Sequence, residues 1–126
     1  MNVVDSSGWI EYFTNAPGAE FFAPAVENVH ELLVPRICLA EVARYFYRER
    51  GIREALHALA QMEEGRIIEM DILIMTRAAR LAKDYRLPLA DSLVLATARA
   101  CEAVVWTQDS DFEGIAGVRY TPKIKK

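Results

Sequence analysis

The chain has 126 residues, 52% of them hydrophobic, with a formal net charge of −3 and a sequence pI near 5.4. This length fits a single domain over residues 1–126, and the apolar content is sufficient for a proper core. The acidic balance excludes a surface built for broad electrostatic binding of nucleic acid, so any such contact must be local.

The first part of the chain alternates short apolar strands with helices. Residues 1–4 predict a strand, and a helix follows the capping residues Asp5, Ser6 and Ser7. Residues 21–29 have helical spacing, and residues 31–35 predict a second strand. The next segment, residues 36–50, carries an apolar stripe at helical spacing and ends at a glycine.

The same alternation continues to the end of the chain. In order, the sequence predicts a helix over 52–64, a strand over 66–70, a helix from Asp71 to residue 85, a loop over 86–91, a helix over 92–101, and strands over 103–107 and 118–121. Pro88 is the reason for placing a loop at 86–91. The pattern predicts an α/β fold, a three-layer α/β/α sandwich with a short, mostly parallel central sheet.

The cysteines and the chain start indicate where the protein works. Cys38 and Cys101 lie in apolar, helix-like stretches, which favours buried thiols over a disulfide or a zinc site. The N-terminus has no basic leader, and no stretch approaches the roughly 20 apolar residues of a membrane span. We therefore expect a soluble, cytoplasmic protein with no membrane partner.

Four acidic residues stand where predicted strands end or predicted helices begin. They are Asp5, Glu41, Asp91 and Asp109. In an open α/β sheet, the loops at the carboxyl ends of parallel strands gather at one point, so these acids are predicted to meet. Carboxylates that meet without a basic partner repel each other unless a divalent cation lies between them.

Each acid also has an ordinary structural interpretation. Asp5 and Asp91 suit helix caps, and Glu41 suits an exposed ion-pair face with the arginines that follow it. Asp109 and Asp111 suit a polar turn after a strand. The set is therefore more informative than any single member.

The available ligand types indicate which metal the acids would hold. His30 and His57 lie in separate stretches without ligand spacing, so both are interpreted as ordinary surface residues. Hard oxygen ligands favour Mg²⁺ or Mn²⁺. A metal-bound water would then be the nucleophile that hydrolyses a phosphodiester, and no protein nucleophile is needed.

Four segments of the chain resemble the PIN domain nucleases, and among them the VapC-type toxins of toxin–antitoxin pairs. The segments are VVDSSGWIEYF, LAEVARYF, LPLADSLVLATA and VVWTQDSDF, and they stand in the family's order and spacing. The resemblance covers nearly the whole chain. It implies a PIN-like fold and a Mg²⁺- or Mn²⁺-dependent endoribonuclease.

The resemblance also implies roles for individual residues and partners. The acidic site would be Asp5, Glu41, Asp91 and Asp109, with Asp111 as an auxiliary acid and Ser7 and Thr107 as nearby hydroxyls. The substrate would be tRNA, rRNA or mRNA. The partners would be a second copy, giving a homodimer, and a small antitoxin whose C-terminal segment blocks the acidic pocket, with a basic side chain reaching the carboxylates.

Contacts to RNA phosphates would fall to local cations. The candidates are Arg36, Arg44, Arg48, Arg50 and the tail residues Lys123, Lys125 and Lys126, although a solvated charged face is the commoner explanation for each. In the run from Tyr45 to Tyr47, Phe46 is predicted to pack in the core, and the other aromatics are candidates for an interface.

Three other functions fit parts of the pattern. A haloacid-dehalogenase-like phosphatase needs a second acid two residues after Asp5, where this chain has Ser7. A receiver-like domain would use Asp71 as its phosphoacceptor but needs a Lys late in the sheet, and no Lys directly follows the strand ending at Thr107. A degenerate, non-catalytic RNA-binding or scaffold module is the third, and metal dependence distinguishes it from a nuclease.

Overall fold

The sheet has five strands, and all of its pairings are parallel. The computed structural model describes residues 1–125, and its strands are β1 (Asn2–Val4), β2 (Leu32–Pro35), β3 (Arg66–Ile68), β4 (Val104–Thr107) and β5 (Val118–Tyr120). Their order across the sheet is β3-β2-β1-β4-β5. The chain therefore reverses direction across the sheet between β1 and β4, the position at which open parallel sheets gather ligands.

Helices cover both faces of this sheet. They are α1 (Ser6–Phe13), α2 (Ala19–Glu27), α3 (Arg36–Arg50), α4 (Ile52–Met62), α5 (Ile72–Tyr85) and α6 (Leu89–Ala100). Right-handed crossovers place α1 to α4 on one face, because β1, β2 and β3 run outward in order, and α5 and α6 on the other. This is the predicted three-layer α/β/α sandwich, and the prediction is confirmed.

The core lies on the central strands, which are buried on both faces as parallel strands usually are. Val3, Val4 and Val105 have no exposed side-chain surface. Helix α1 packs very closely here: a Cβ on Gly8 would lie 2.6 Å from Cε1 of Phe22. Only glycine fits at that position without moving the α2 aromatic ring.

Most predicted element bounds agree with the structure to within two residues, and one difference concerns the site. The loop predicted over residues 86–91 is wrong, since α6 begins at Leu89 and Asp91 lies in its first turn. Pro88 precedes the helix in an extended conformation, which proline favours, so it starts the helix and does not interrupt it. The helices over 36–50 and 72–85 have the predicted bounds.

The remaining differences are shorter ends. The predicted helix over 21–29 ends at Glu27, and a 3₁₀ turn over Val29–Glu31 precedes β2. Strand β3 ends at Ile68, before the predicted residue 70. Among residues 1–125, no helix combines the length and apolar character needed to cross a membrane.

Candidate active site

Asp5 lies at the junction of β1 and α1 and is almost fully buried, with 4% of its surface exposed. Its Oδ2 accepts a hydrogen bond from Thr107 Oγ1 at 2.7 Å, and its Oδ1 accepts from Ser7 Oγ at 2.9 Å and from Gly8 N at 3.0 Å. Burial raises the pKa of Asp5 from 3.8 to about 6 despite these hydrogen bonds. The residue caps its helix and also faces the site.

Glu41 reaches the same region from the middle of α3. Its Oε1 accepts a hydrogen bond from Ser6 Oγ at 2.6 Å. Within the described chain, Glu41 makes no ion pair with Arg44 or Arg48, so the exposed ion-pair interpretation is not what the structure shows. The Ser6 contact instead turns this carboxylate toward the start of α1.

Asp91, Asp109 and Asp111 form a compact acidic cluster. Each has a carboxylate oxygen within 4.8 Å of an oxygen of the other two. Burial and the neighbouring charge of Asp109 raise the pKa of Asp91 from 3.8 to about 7. Burial and the nearby like charges both disfavour the ionised form of Asp91 when no cation is present.

Thr107 connects the two halves of the site at the end of β4. Its hydroxyl donates to Asp5, and the same oxygen accepts a hydrogen bond from the backbone N–H of Asp109 at 2.9 Å. The side chain of Asp109 in turn accepts from the backbone N–H of Asp111 at 2.9 Å and so caps the 3₁₀ turn Ser110–Phe112. Asp109 therefore has the predicted role in a polar turn and also belongs to the acidic cluster.

These acids surround a cavity of about 250 Å³. It is lined by Asp5, Ser6, Ser7, Ile10, Glu41, Arg44, Tyr45, Arg48, Asp91, Val94 and Asp109. Asp111 lies outside this lining and is exposed. No Lys or Arg of residues 1–125 lies within ion-pair distance of the five acids, so the set of hard oxygen donors fits Mg²⁺ or Mn²⁺.

The predicted phosphate-binding cations separate into two groups. Arg44 and Arg48 line the acidic cavity. Arg36 instead pairs with Glu69 at the surface, and Arg50 lies with its guanidinium carbon 5.7 Å from the ring centroid of Phe46. Arg44 and Arg48 are therefore the two of these arginines that lie at the cavity, where Arg48 Nε also pairs with Glu49 Oε1 at 3.4 Å.

The tail and the aromatic run of α3 also have defined positions. Lys123 and Lys125 line a groove beside the cavity, and Lys126 lies outside the described residues. Phe46 is buried, as predicted, whereas Tyr47 is 63% exposed. Tyr45 is half-buried and lines the cavity.

Sequence reasoning missed a buried polar network beneath the site. Glu11 is 5% exposed, and its carboxylate accepts hydrogen bonds from Gly18 N at 2.7 Å and from Gln108 Nε2 at 3.0 Å. Gln108 directly precedes Asp109, so the network fixes α1 against the loop that carries this acid. Glu11 lies seven residues from Gly18 and 97 from Gln108, and no local pattern links the three.

The structure does not form the sites that two of the alternative functions require. Ser7, where a phosphatase of the haloacid-dehalogenase type has its second acid, donates a hydrogen bond to Asp5. Asp71, the receiver-like candidate, follows the edge strand β3 and is exposed, and its side chain caps α5 by accepting from Ile74 N at 2.9 Å. His30 and His57 are exposed surface residues, as predicted.

The sequence of the chain matches a known domain family. The family model described as "PIN domain" matches residues 3–118. The chain belongs to the PIN domain family. The resemblance read from the four sequence segments is thereby confirmed.

Solved structures share this PIN fold over nearly their whole length. A toxin–antitoxin complex from Klebsiella pneumoniae has a chain 23% identical, with a TM-score of 0.75, covering 94% of this chain and 96% of that one. VapC20 from Mycobacterium tuberculosis, a sarcin–ricin loop cleaving toxin, is 16% identical, with a TM-score of 0.77 and coverage of 94% and 97%. DNA-bound VapBC from Salmonella typhimurium is 16% identical, with a TM-score of 0.72 and coverage of 96% of each chain. Comparison with curated protein sequences gave no match.

Proposed function

We propose that the protein is a metal-dependent endoribonuclease that acts as the toxin of a toxin–antitoxin pair in the cytoplasm. The observation that carries this proposal is the convergence of acids from four separate chain segments on one cavity, where no Lys or Arg among residues 1–125 forms an ion pair with any of these acids. Membership of the PIN family and the shared fold with VapC20 support the same function. Free thiols at Cys38 and Cys101 suit a reducing compartment.

The ligands of the cation would be Asp5, Glu41, Asp91 and Asp109, with Asp111 as an auxiliary acid at the exposed edge. Asp5 is the most rigid of these, because three donors hold its two oxygens. When bound, Mg²⁺ or Mn²⁺ supplies an activated water and neutralises charge on the leaving oxygen. The protein would supply the fixed oxygen donors.

The hydroxyls of Ser6, Ser7 and Thr107 orient the acids. Each donates to a carboxylate, which leaves lone pairs of Asp5 and Glu41 directed into the cavity. At about pH 6 the cation-free site still holds protons on Asp5 and Asp91, because their pKa values are raised to about 6 and about 7. Cation binding is therefore expected to release protons.

Arg44 and Arg48 would bind the phosphates of an RNA substrate at the rim of the cavity. Both are exposed residues of α3 one helical turn apart, on the face that carries Glu41. Guanidinium groups suit phosphate because their N–H donors match its oxygens in pairs. A tRNA, rRNA or mRNA would meet the acids and these two cations together.

Metal-dependent cleavage tests the proposed function directly. The purified protein is incubated with a pool of tRNA and rRNA in Mg²⁺, Mn²⁺ or EDTA, beside Asp5→Asn and the matched control Asp84→Asn, which makes the same chemical change on the exposed surface of α5. We expect cleavage by the wild type and Asp84→Asn with metal, and none by Asp5→Asn. RNA binding in EDTA without any cleavage in metal would favour the non-catalytic scaffold.

Two exposed apolar surfaces support the proposed protein partners. Between α3 and α4 an apolar groove includes Tyr47, Ile52 and Leu56, each more than half exposed, and it shares Arg44 and Arg48 with the acidic cavity. An antitoxin segment in this groove would lead directly to the acids, where its own basic side chain would replace the cation.

Helix α5 presents the second surface, which we assign to a homodimer. Ile72 is 80% exposed, and Leu73 and Met75 are also more than half exposed. Light scattering after gel filtration should give twice the 14.2 kDa chain mass for the wild type. The Ile72→Lys protein should shift toward the monomer, and a monomeric wild type would contradict the dimer.

A further inference from the structure

We propose that the C-terminal tail and α1 form an RNA-binding groove that holds the single strand flanking the scissile phosphate. This inference rests on the proposed nuclease function and adds the path of its substrate. The groove encloses about 460 Å³ and is lined in part by Ile10, Thr14, Tyr45, Lys123 and Lys125. No other cavity described in the protein brings lysines of the tail against a helix.

The groove is continuous with the acidic cavity. Ile10 of α1 and Tyr45 of α3 line both spaces. A strand that places a phosphate among the acids can therefore continue past Ile10 and Tyr45 into the groove. The tail reaches this position because it leaves β5, which pairs with β4 at the same edge of the sheet.

The charges along this path suit an RNA strand whose scissile phosphate contacts the proposed metal ion and whose flanking phosphates contact arginine and lysine side chains. The acidic centre repels phosphate in the absence of metal, so the strand must be held on either side. Tyr45 borders two spaces: Arg44 and Arg48 line the acidic cavity, and Lys123 and Lys125 line the groove. The lysines are exposed and form no ion pair with any described acid.

The carboxylate lining the groove is already occupied. Glu11 is buried, and Gly18 N and Gln108 Nε2 donate to its two oxygens. Its charge is therefore directed inward, and the lysine ammonium groups remain the charged groups that face the solvent side of the groove. This leaves the groove locally basic on a protein whose net charge is −3.

Tyr45 indicates that the occupant is a single strand. Its ring is half-buried between the two spaces, packs edge-on against Phe46 at 5.1 Å, and has the Arg48 guanidinium carbon 6.0 Å from its centroid. A fixed aromatic ring with cations on both sides is the arrangement on which unpaired bases stack while their phosphates are neutralised. Bases in a duplex are not available for such stacking.

Salt dependence of RNA binding tests the groove without relying on cleavage. A fluorescein-labelled oligouridylate is titrated with Asp5→Asn protein at several salt concentrations, alone and combined with Lys123→Ala/Lys125→Ala, with Lys83→Ala as the matched control on α5. Losing two phosphate contacts should lower the slope of log affinity against log salt by about 1.4 and weaken binding several-fold. Lys83→Ala should change neither quantity.

A second variant separates the groove from a general charge effect. Tyr45→Phe keeps the ring and should retain oligouridylate binding, whereas Tyr45→Leu should weaken it without changing the salt slope. Unchanged affinity and slope in the double lysine variant would overturn the proposal. The proposal would also be overturned if the double lysine variant lost binding to an acidic peptide and kept binding to the oligouridylate. That result would assign the groove to a protein partner.

Failure of the proposed function would look different. A wild-type protein that never cleaves RNA in metal, but shows the lysine-dependent salt slope, would remove the nuclease and retain the groove. Metal-dependent cleavage with an unchanged slope would retain the nuclease and remove the groove.

Discussion

Replacing Asp5 by Asn is expected to stabilise the protein in the absence of metal, and the size of the effect follows from its burial. The folded state keeps the Asp5 proton until about pH 6, whereas the unfolded chain loses it near pH 3.8. Unfolding therefore releases the Asp5 proton between these pH values. The contribution of Asp5 to the free energy of unfolding is most favourable below about pH 4 and is lost as the pH rises through 6. At ~1.4 kcal/mol per pH unit, the ionised carboxylate costs the fold about 3 kcal/mol above pH 6.

The substitution also loses part of the local hydrogen bonding. The asparagine oxygen can still accept from Gly8 N, but its NH₂ group replaces the oxygen that accepts from Thr107. Weakening that charge-assisted bond costs roughly 1–2 kcal/mol. The net expectation is that Asp5→Asn is more stable than the wild type by about 1–2 kcal/mol at pH 8, and no more stable than it below pH 4.

Urea unfolding in EDTA at pH 4 and pH 8, followed by tryptophan fluorescence, measures this difference. Asp84→Asn serves as the control, because Asp84 is exposed on α5 and should show the pH dependence of the wild type. An Asp5→Asn protein that is less stable than the wild type by the same amount at both pH values would refute the reasoning. Asp5 would then be an ordinary helix cap whose charge the fold tolerates.

Three further predictions concern the site and its support. Asp91→Asn should reduce RNA cleavage to background, measured in Mg²⁺, while its circular dichroism spectrum remains that of the wild type. Ser6→Ala removes the donor to Glu41 and should raise the Mn²⁺ concentration needed for half-maximal cleavage by roughly 10- to 100-fold, a shift that loss of stability alone would not produce. Gly8→Ala places a Cβ 2.6 Å from the ring of Phe22 and should lower the free energy of unfolding by about 1–3 kcal/mol in a urea titration; an unchanged value would contradict the close packing.

The fold was largely predictable because its central strands are buried on both faces. Parallel strands covered on both faces appear in the sequence as continuous apolar runs, as in residues 32–35 and 104–107. Capping residues and glycines marked the helix ends, so α3 and α5 were predicted with their observed bounds. The start of α6 was missed because a proline can lie within a loop or directly before a helix, and the sequence around Pro88 does not distinguish these two positions.

Asp5 and Asp109 were predictable because they follow strands, and one end of a parallel sheet brings such positions together. Glu41 and Asp91 lie on helices α3 and α6. The assignment of these four acids as metal ligands stays a prediction. What the sequence did not indicate are contacts between distant segments: Ser6 to Glu41 is separated by 35 positions, and Gln108 to Glu11 by 97. Local patterns carry no information on such pairs.

The positions of the basic residues were also predictable only where they depend on neighbouring residues in the sequence. The spacing of Arg44 and Arg48 in α3 predicted a shared face, and the structure places both at the cavity. Arg36 shares their helix, but its partner Glu69 lies 33 positions away, and this pairing removes it from the set facing the site. The tail lysines reach the groove beside the cavity through the placement of β5, which only the assembled sheet defines.

The most direct test of the account measures RNA cleavage against Mn²⁺ occupancy in the same samples, with bound Mn²⁺ followed by electron paramagnetic resonance. We expect the cleavage rate to rise in proportion to occupancy in the wild type, and Asp5→Asn to lose both together. RNA cleavage in the absence of a bound cation, or equal Mn²⁺ binding and cleavage by Asp5→Asn, would contradict the proposed function.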